Sequence, residues 1–136
     1  MCLHMIKKVR PSIQKITECY QIAHKVDSKY WGLYVDKIKP MGVWTLACWV
    51  SKEKTIRAMP IDYKAGFHVI KIKEEAETVL KSFRYIKDLV LLKVLCREIY
   101  IEGEWEILHP FWTKGRRIRF ISCYVCKWTK VIGEVE

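Results

Sequence analysis

Two runs of β-forming residues constrain this chain more than anything else in it: "LVLLKVLCREIYIEGEWEIL" from Leu89 and "RIRFISCYVCKWTKVIG" from Arg117. The first is continuously apolar before Lys93 and alternates after it, and the second mixes β-branched, aromatic and sulfur side chains. Side chains of this kind fit a pleated, packed surface. Gly103 is the one turn signal inside the first run, so that run reads as a long strand, a turn near Gly103 and a short second strand.

The rest of the chain supplies shorter elements. Residues 12–26 place Ile13, Ile16, Tyr20 and Ala23 at helical spacing behind Ser12, which predicts a helix. Residues 30–36, 43–50 and 66–72 read as strands, with a Pro-Gly turn at 39–42. Residues 55–59 read as a hairpin partner for 43–50. "KEEAETVLKSF" from Lys73 is the clearest helix, with Ala76, Val79, Leu80 and Phe83 on one face and Glu74, Glu75 and Glu77 where the helix dipole favours acids. The expected class is α+β: a mostly antiparallel sheet of about five to seven strands with one or two helices packed on it. One domain over 1–136 is expected, with a basic N-terminal segment and helix in 1–26 and the α+β core in 30–132.

Composition narrows the class. At 51% hydrophobic the chain can bury a core, and no apolar run approaches the roughly 20 residues a membrane helix needs. The N-terminus lacks a signal-peptide pattern, so a cytoplasmic protein is expected, in the host cytoplasm if viral, with no membrane partner. Six Cys in that setting are not a disulfide framework. The chain has no Asn and two Gln beside abundant Lys and Glu, a pattern that suits a hot-environment source.

The net charge of +10 favours a nucleic acid or an acidic protein surface as partner. The charge is segregated. Residues 111–130 hold Lys114, Arg116, Arg117, Arg119, Lys127 and Lys130 and no acid, while Glu98, Glu102, Glu104 and Glu106 crowd the run before them. With Trp112 and Trp128, those six cations make a candidate basic–aromatic patch, in which aromatic faces stack on bases and Lys or Arg neutralise phosphates. The competing reading is cross-strand pairing of Glu102, Glu104 and Glu106 with Arg116, Arg117 and Arg119. Six Trp and seven Tyr also suit an interface, including one between copies of the chain.

Cys123 and Cys126 form a Cys-x-x-Cys pair, but Tyr124 and Val125 between them are strand formers. Strand positions three apart face opposite ways, so these thiols should diverge and pack rather than hold a metal. By alternation, Ile118, Phe120, Tyr124, Cys126 and Trp128 form a core face. The other face carries Arg117, Arg119, Ile121, Cys123, Val125 and Lys127, basic at its start and apolar further on. No P-loop, nucleophile elbow or His-Glu-x-x-His is present, and no cofactor or catalytic residue is assigned. His68 is the one polar candidate, read first as a structural histidine bonded to backbone.

"YKAGFHVIKIKEEAETVL" from Tyr63 resembles a small domain of unknown function scattered through phage and prokaryotic genomes. In that domain a Gly-Phe-His strand leads into a helix opening with acids, here Gly66, Phe67, His68 and Ala76. The similarity covers roughly 30–132 and departs at the basic insertion around 108–117. It implies an accessory protein of a virus or mobile element, and no reaction. The leading expectation is therefore a non-enzymatic nucleic-acid-binding protein. Alternatives are a counter-defence inhibitor that occupies a host nuclease or its nucleic-acid channel, and a small nucleotide- or RNA-acting enzyme using His68.

Overall fold

The two long β-forming runs pair with each other along nearly their whole length. The computed structural model describes residues 3–9, 15–32, 38–47, 55–56, 63–64, 66–83, 86–108 and 118–135. In chain order the elements are β1 (Leu3–Lys8), β2 (Thr17–Val26), β3 (Lys29–Gly32), β4 (Ile38–Lys39), β5 (Thr45–Leu46), β6 (Thr55–Ile56), β7 (Tyr63–Lys64), β8 (Phe67–Ile70), α1 (Lys73–Ser82), β9 (Leu89–Leu108) and β10 (Ile118–Glu134). The antiparallel β9–β10 ladder runs from Ile118↔Leu108 to Glu134↔Leu92. No turn forms at Gly103, which is buried in the middle of β9 opposite Cys123. The expected short second strand is thus the second half of one 20-residue strand.

Every other element hangs on this pair. β1 and β2 both pair with the far edge of β9, β1 along Ile101–Trp105 and β2 along Leu89–Cys96. β8 pairs with β10 from Cys123 to Cys126 and touches β2 at Tyr20↔Ile70. The pairings β9–β10, β10–β8, β8–β2 and β2–β9 therefore close a ring. β3 and β4 extend the sheet from β2, and β5 takes the edge of β10 beyond β8. The expected α+β class with a mostly antiparallel sheet is what forms, but the main sheet has eight strands, more than the five to seven expected, with one helix among the described residues. Thr55–Ile56 pairs forward with Tyr63–Lys64 in a separate two-stranded sheet, not back with 43–50.

The helix expected over 12–26 does not form among the described residues, and from Thr17 on the chain is a strand. Thr17–Val26 is β2, and it turns into β3 through Asp27 and Ser28, both at positive φ (51° and 63°). Two left-handed residues between paired strands are the geometry of a two-residue hairpin turn whose twist suits a sheet. The helical spacing of Ile16, Tyr20 and Ala23 misleads because β2 is buried on both faces. Tyr20 and Ile22 join one core cluster, Cys19 and Ala23 the other.

Those two clusters are the core. The first joins Ala76 and Val79 of α1 to Leu3, Ile6, Ile70, Leu91, Ile101, Ile121, Cys123 and Val125, with Phe83 stacked on Trp105 at 6.4 Å. The second, on the face turned away from α1, is built of small side chains: Cys19, Ala23, Val69, Val94, Cys96, Cys126 and Val131, with Leu92. The start of α1 is tied to the sheet edge by Glu75, whose Oε1 accepts the Ser122 N–H at 2.8 Å just past the end of β8.

Gly66 enters β8 with no room for a side chain. A Cβ there would run into the Tyr100 hydroxyl and come within 2.8 Å of the Cys126 carbonyl oxygen. Tyr100 is the extra residue where the β9–β10 register shifts between Val125↔Ile101 and Cys126↔Ile99. Overpacking of this kind costs roughly 1–3 kcal/mol. Gly66→Ala should lower stability by about that much in urea titration, and less in a Tyr100→Phe background, which removes one obstructing atom. Equal costs in both backgrounds would show that the hydroxyl is not the obstacle.

Candidate functional site

The β9–β10 ladder bends at its middle, and the bend gathers the aromatic and cationic side chains. Glu98 adopts a positive φ of 55°, one residue past Arg97 and next to the register shift. Strict alternation fails across this point. The second core cluster takes Cys96 and then Ile99 from β9, spaced three apart instead of two. On β10 the buried positions likewise pass from Cys126 to Thr129. A residue inserted into one strand bends it and re-aims the side chains beside it.

Beyond the bend, Arg97 and Trp128 stand opposite each other, and Trp128 also pairs with Leu46 of β5. Their neighbours Cys96 and Thr129 are buried, so Arg97 and Trp128 lie on the outer face of the ladder. The Arg97 guanidinium sits 4.5 Å from the Trp44 ring centre and 4.9 Å from that of Trp128. Lys130 Nζ lies 5.9 Å from the Trp44 ring. All four side chains are half-buried, which holds them in place and leaves part of each open.

Four lysines elsewhere on the surface are neutralised by carboxylates. Lys25 pairs with Glu134 at 2.7 Å, Lys71 with Glu102 at 2.6 Å, Lys73 with Glu77 at 3.9 Å and Lys93 with Glu18 at 3.2 Å. Tyr30 also donates to Glu134, and with Lys25 holds that carboxyl below its ordinary range. Among the described residues, no carboxylate pairs with Arg97, Lys127 or Lys130. The surface therefore carries fixed positive charge backed by two indoles, an arrangement that can hold an anion beside a flat apolar group.

The structure brings two of the sequence-predicted site residues together. Trp128 and Lys130 are in the cluster. Lys127, half-buried at the bend, joins no ring contact or ion pair among the described residues. Trp112, Lys114, Arg116 and Arg117 lie outside the described residues, and Arg119 is placed only as a β10 backbone position opposite Ile107. The register does not set the glutamates against arginines: Glu102, Glu104 and Glu106 face Tyr124, Ser122 and Phe120, and Glu102 takes Lys71 instead. The expected core face of β10 is corrected too. Ile121, Cys123 and Val125 are the buried set against α1, while Phe120 is 54% exposed. Sequence reasoning missed Trp44 and Arg97. Neither has a local signal, since only the pairing of β5, β9 and β10 brings them to Trp128.

Cys19, Cys96, Cys123, Cys126 and His68 are packing residues. Cys123 lies in the cluster under α1 and Cys126 in the opposite one, so the two sulfurs of the Cys-x-x-Cys pair diverge. Cys19 and Cys96 are pushed far above the usual thiol range, first by hydrogen bonds along the Cys19–Cys96–Cys126 line and then by burial, for Cys96 with the Cys19 bond opposing. Burial pushes Cys123 up to about 12. Such thiols stay protonated and unreactive. Among the described residues no group of three or more His, Cys, Asp or Glu is placed to hold a metal, and no helix is long and apolar enough to cross a membrane. Burial lowers His68 from 6.5 to about 4, with a hydrogen bond to the Gly66 backbone acting the other way.

Compared with known protein families, curated proteins and solved structures, the chain matches none.

Two measurements follow from the buried groups. Because His68 titrates lower in the fold, protons favour the unfolded chain. Its contribution is complete above pH 6.5 and is lost as pH falls toward about 4. The loss totals about 3 kcal/mol. His68→Gln should flatten the melting-temperature profile between those limits, and an unchanged profile would remove His68 from acid sensitivity. In a Cys2→Ser, Cys48→Ser chain, DTNB should find almost no thiol until denaturant is added. Fast native reaction would contradict the packing of Cys19, Cys96, Cys123 and Cys126.

Proposed function

We propose that the chain is a basic accessory protein that binds nucleic acid without performing chemistry on it. The observation that carries this reading is the Arg97 guanidinium held between Trp44 and Trp128 beside Lys130, with no carboxylate to neutralise it among the described residues. The net charge of +10 supplies the long-range attraction that such a surface would use. Lys114, Arg116 and Arg117, from the segment between β9 and β10, and Arg119 at the start of β10 extend the same charge in sequence. The resemblance around Gly66–Ala76 supports a viral or mobile-element source.

An imidazole with a pKa of about 4 is a weak base at neutral pH, so His68 is assigned to the fold and not to a reaction. An acidic protein surface could meet the same cations, and the two partners differ in how they respond to salt. Phosphate contacts release condensed counterions, so log affinity falls with log salt by about 0.7–0.9 per contact. Binding to mixed-sequence oligonucleotides should weaken steeply from low to physiological salt. Lys130→Gln should reduce the slope by about one contact, and Lys114→Glu with Arg116→Glu by more. Binding that stays flat with salt would reject nucleic acid as the ligand.

A further inference from the structure

We infer that the face made by Trp44, Arg97, Trp128 and Lys130 is built for unpaired bases, so that the ligand class is single-stranded DNA or RNA and not duplex. The inference rests on the nucleic-acid reading above and narrows it. Three observations lead to it.

The first is that the indoles belong to a sheet surface. Trp128 is fixed in the ladder between Arg97 and Leu46, and Trp44 lies one residue before β5. Both are half-buried and in contact with Arg97, so neither projects as a wedge that could part stacked base pairs. A ligand has to bring its own flat faces to them. Duplex bases expose only their edges, whereas unpaired bases expose a π-face that stacks on aromatic side chains whatever the sequence.

The second is the state of the guanidinium. Its central carbon lies 4.5 Å and 4.9 Å from the centres of two indole rings, and a guanidinium that stacks on a ring keeps its N–H groups in the plane, where they can point past it. Among the described residues those donors have no carboxylate partner. They are the forked donors that bind a phosphate through two oxygens. One residue thus holds both stacking surfaces in place and offers the phosphate contact beside them.

The third is the second cation. Lys130 stands two residues beyond Trp128 on β10 and 5.9 Å from the Trp44 ring, so positive charge flanks the rings along the strand direction. A phosphate chain running over the outer face would meet Arg97 and then Lys130, with bases turned down onto the indoles.

The test uses the full chain with fluorescein-labelled oligothymidylate, oligouridylate and a mixed-sequence DNA duplex, each of about 12 nucleotides or base pairs, inside the span of one small single-strand-binding domain. Anisotropy titrations at low salt should show both single strands binding at least about tenfold more tightly than duplex, with quenching of tryptophan emission. Trp128→Ala and Trp44→Ala should each weaken single-strand binding by about tenfold or more and duplex binding by much less. Trp128→Phe, which keeps a π-face, should recover most of the loss, which guards against a variant that merely fails to fold. Arg97→Lys should weaken binding while retaining the charge, because a lysine lacks the forked donors. A preference between oligothymidylate and oligouridylate identifies whether DNA or RNA is the source, and tight binding of either supports the inference. Duplex bound as tightly as single strands, or single-strand binding indifferent to Trp128→Ala, would overturn it and leave the broader reading standing. No binding of any of the three at low salt would overturn both.

Discussion

The β9–β10 ladder is the constraint from which the rest of the structure follows. It joins Leu92–Leu108 to Ile118–Glu134 across two register shifts, and it supplies an edge to β1, β2, β8 and β5. A flat hairpin of this length would leave both faces bare, and a two-stranded ribbon is marginal in water. The bend at Glu98 and Tyr100 changes that. β1 ends at Lys8, opposite Ile101, and β2 begins at Thr17, opposite Cys96, so the strand partner on the far edge of β9 is interrupted where β9 bends. With the two halves inclined to each other, β8 can span from β10 to β2 and close the ring.

Closure explains the unusual core. Strands of one ring must accept side chains on both faces, one under α1 and one turned away from it. The second face is filled by cysteine, alanine and valine, with Leu92 its one larger buried side chain. A free cysteine is a small hydrophobe with a weak donor, which fits a narrow interior better than serine, whose hydroxyl would need a stronger partner. The same closeness lets Cys19, Cys96 and Cys126 bond to one another and drives the first two thiols away from reactivity. Gln21 and Thr129 are buried polar residues as well, and Gln21 is hydrogen-bonded on one side only. Its Nε2 donates to the His68 carbonyl at 3.2 Å, and its Oε1 is buried without a hydrogen-bond partner.

How legible this was in the sequence depends on how local each cause is. α1 was readable because its acids and apolar stripe lie within eleven residues, and its observed span is Lys73–Ser82. The antiparallel character of the sheet was readable from the β-forming runs. β2 was not, because burial on both faces removes the period-two signal, and Asp27-Ser28 is a weaker hairpin mark than Asn-Gly. Gly103 misled for a related reason: a glycine inside a strand can mark close packing as well as a turn. The salt-bridge expectation failed on register alone. The observed register, shifted by several residues from the pairing that would set them against Arg116, Arg117 and Arg119, places Glu102, Glu104 and Glu106 opposite Tyr124, Ser122 and Phe120.

The candidate site shows the same dependence on non-local contacts, and it shares its cause with the fold. Positions 44, 97 and 128 meet because β8 stops pairing with β10 at Cys126 and β5 takes over the edge at Trp128 and Thr129. The bend that closes the ring is therefore what assembles the cationic aromatic face. Arg97 acts there as a staple, since its guanidinium contacts both Trp44, just before β5, and Trp128 of the ladder. A staple and a ligand surface are not competing roles for a guanidinium. The π-faces do the first and the in-plane N–H groups are left for the second. A lysine at that position would carry the same charge but could not divide its contacts in this way, which is the physical reason that an arginine between two indoles points beyond stability to recognition.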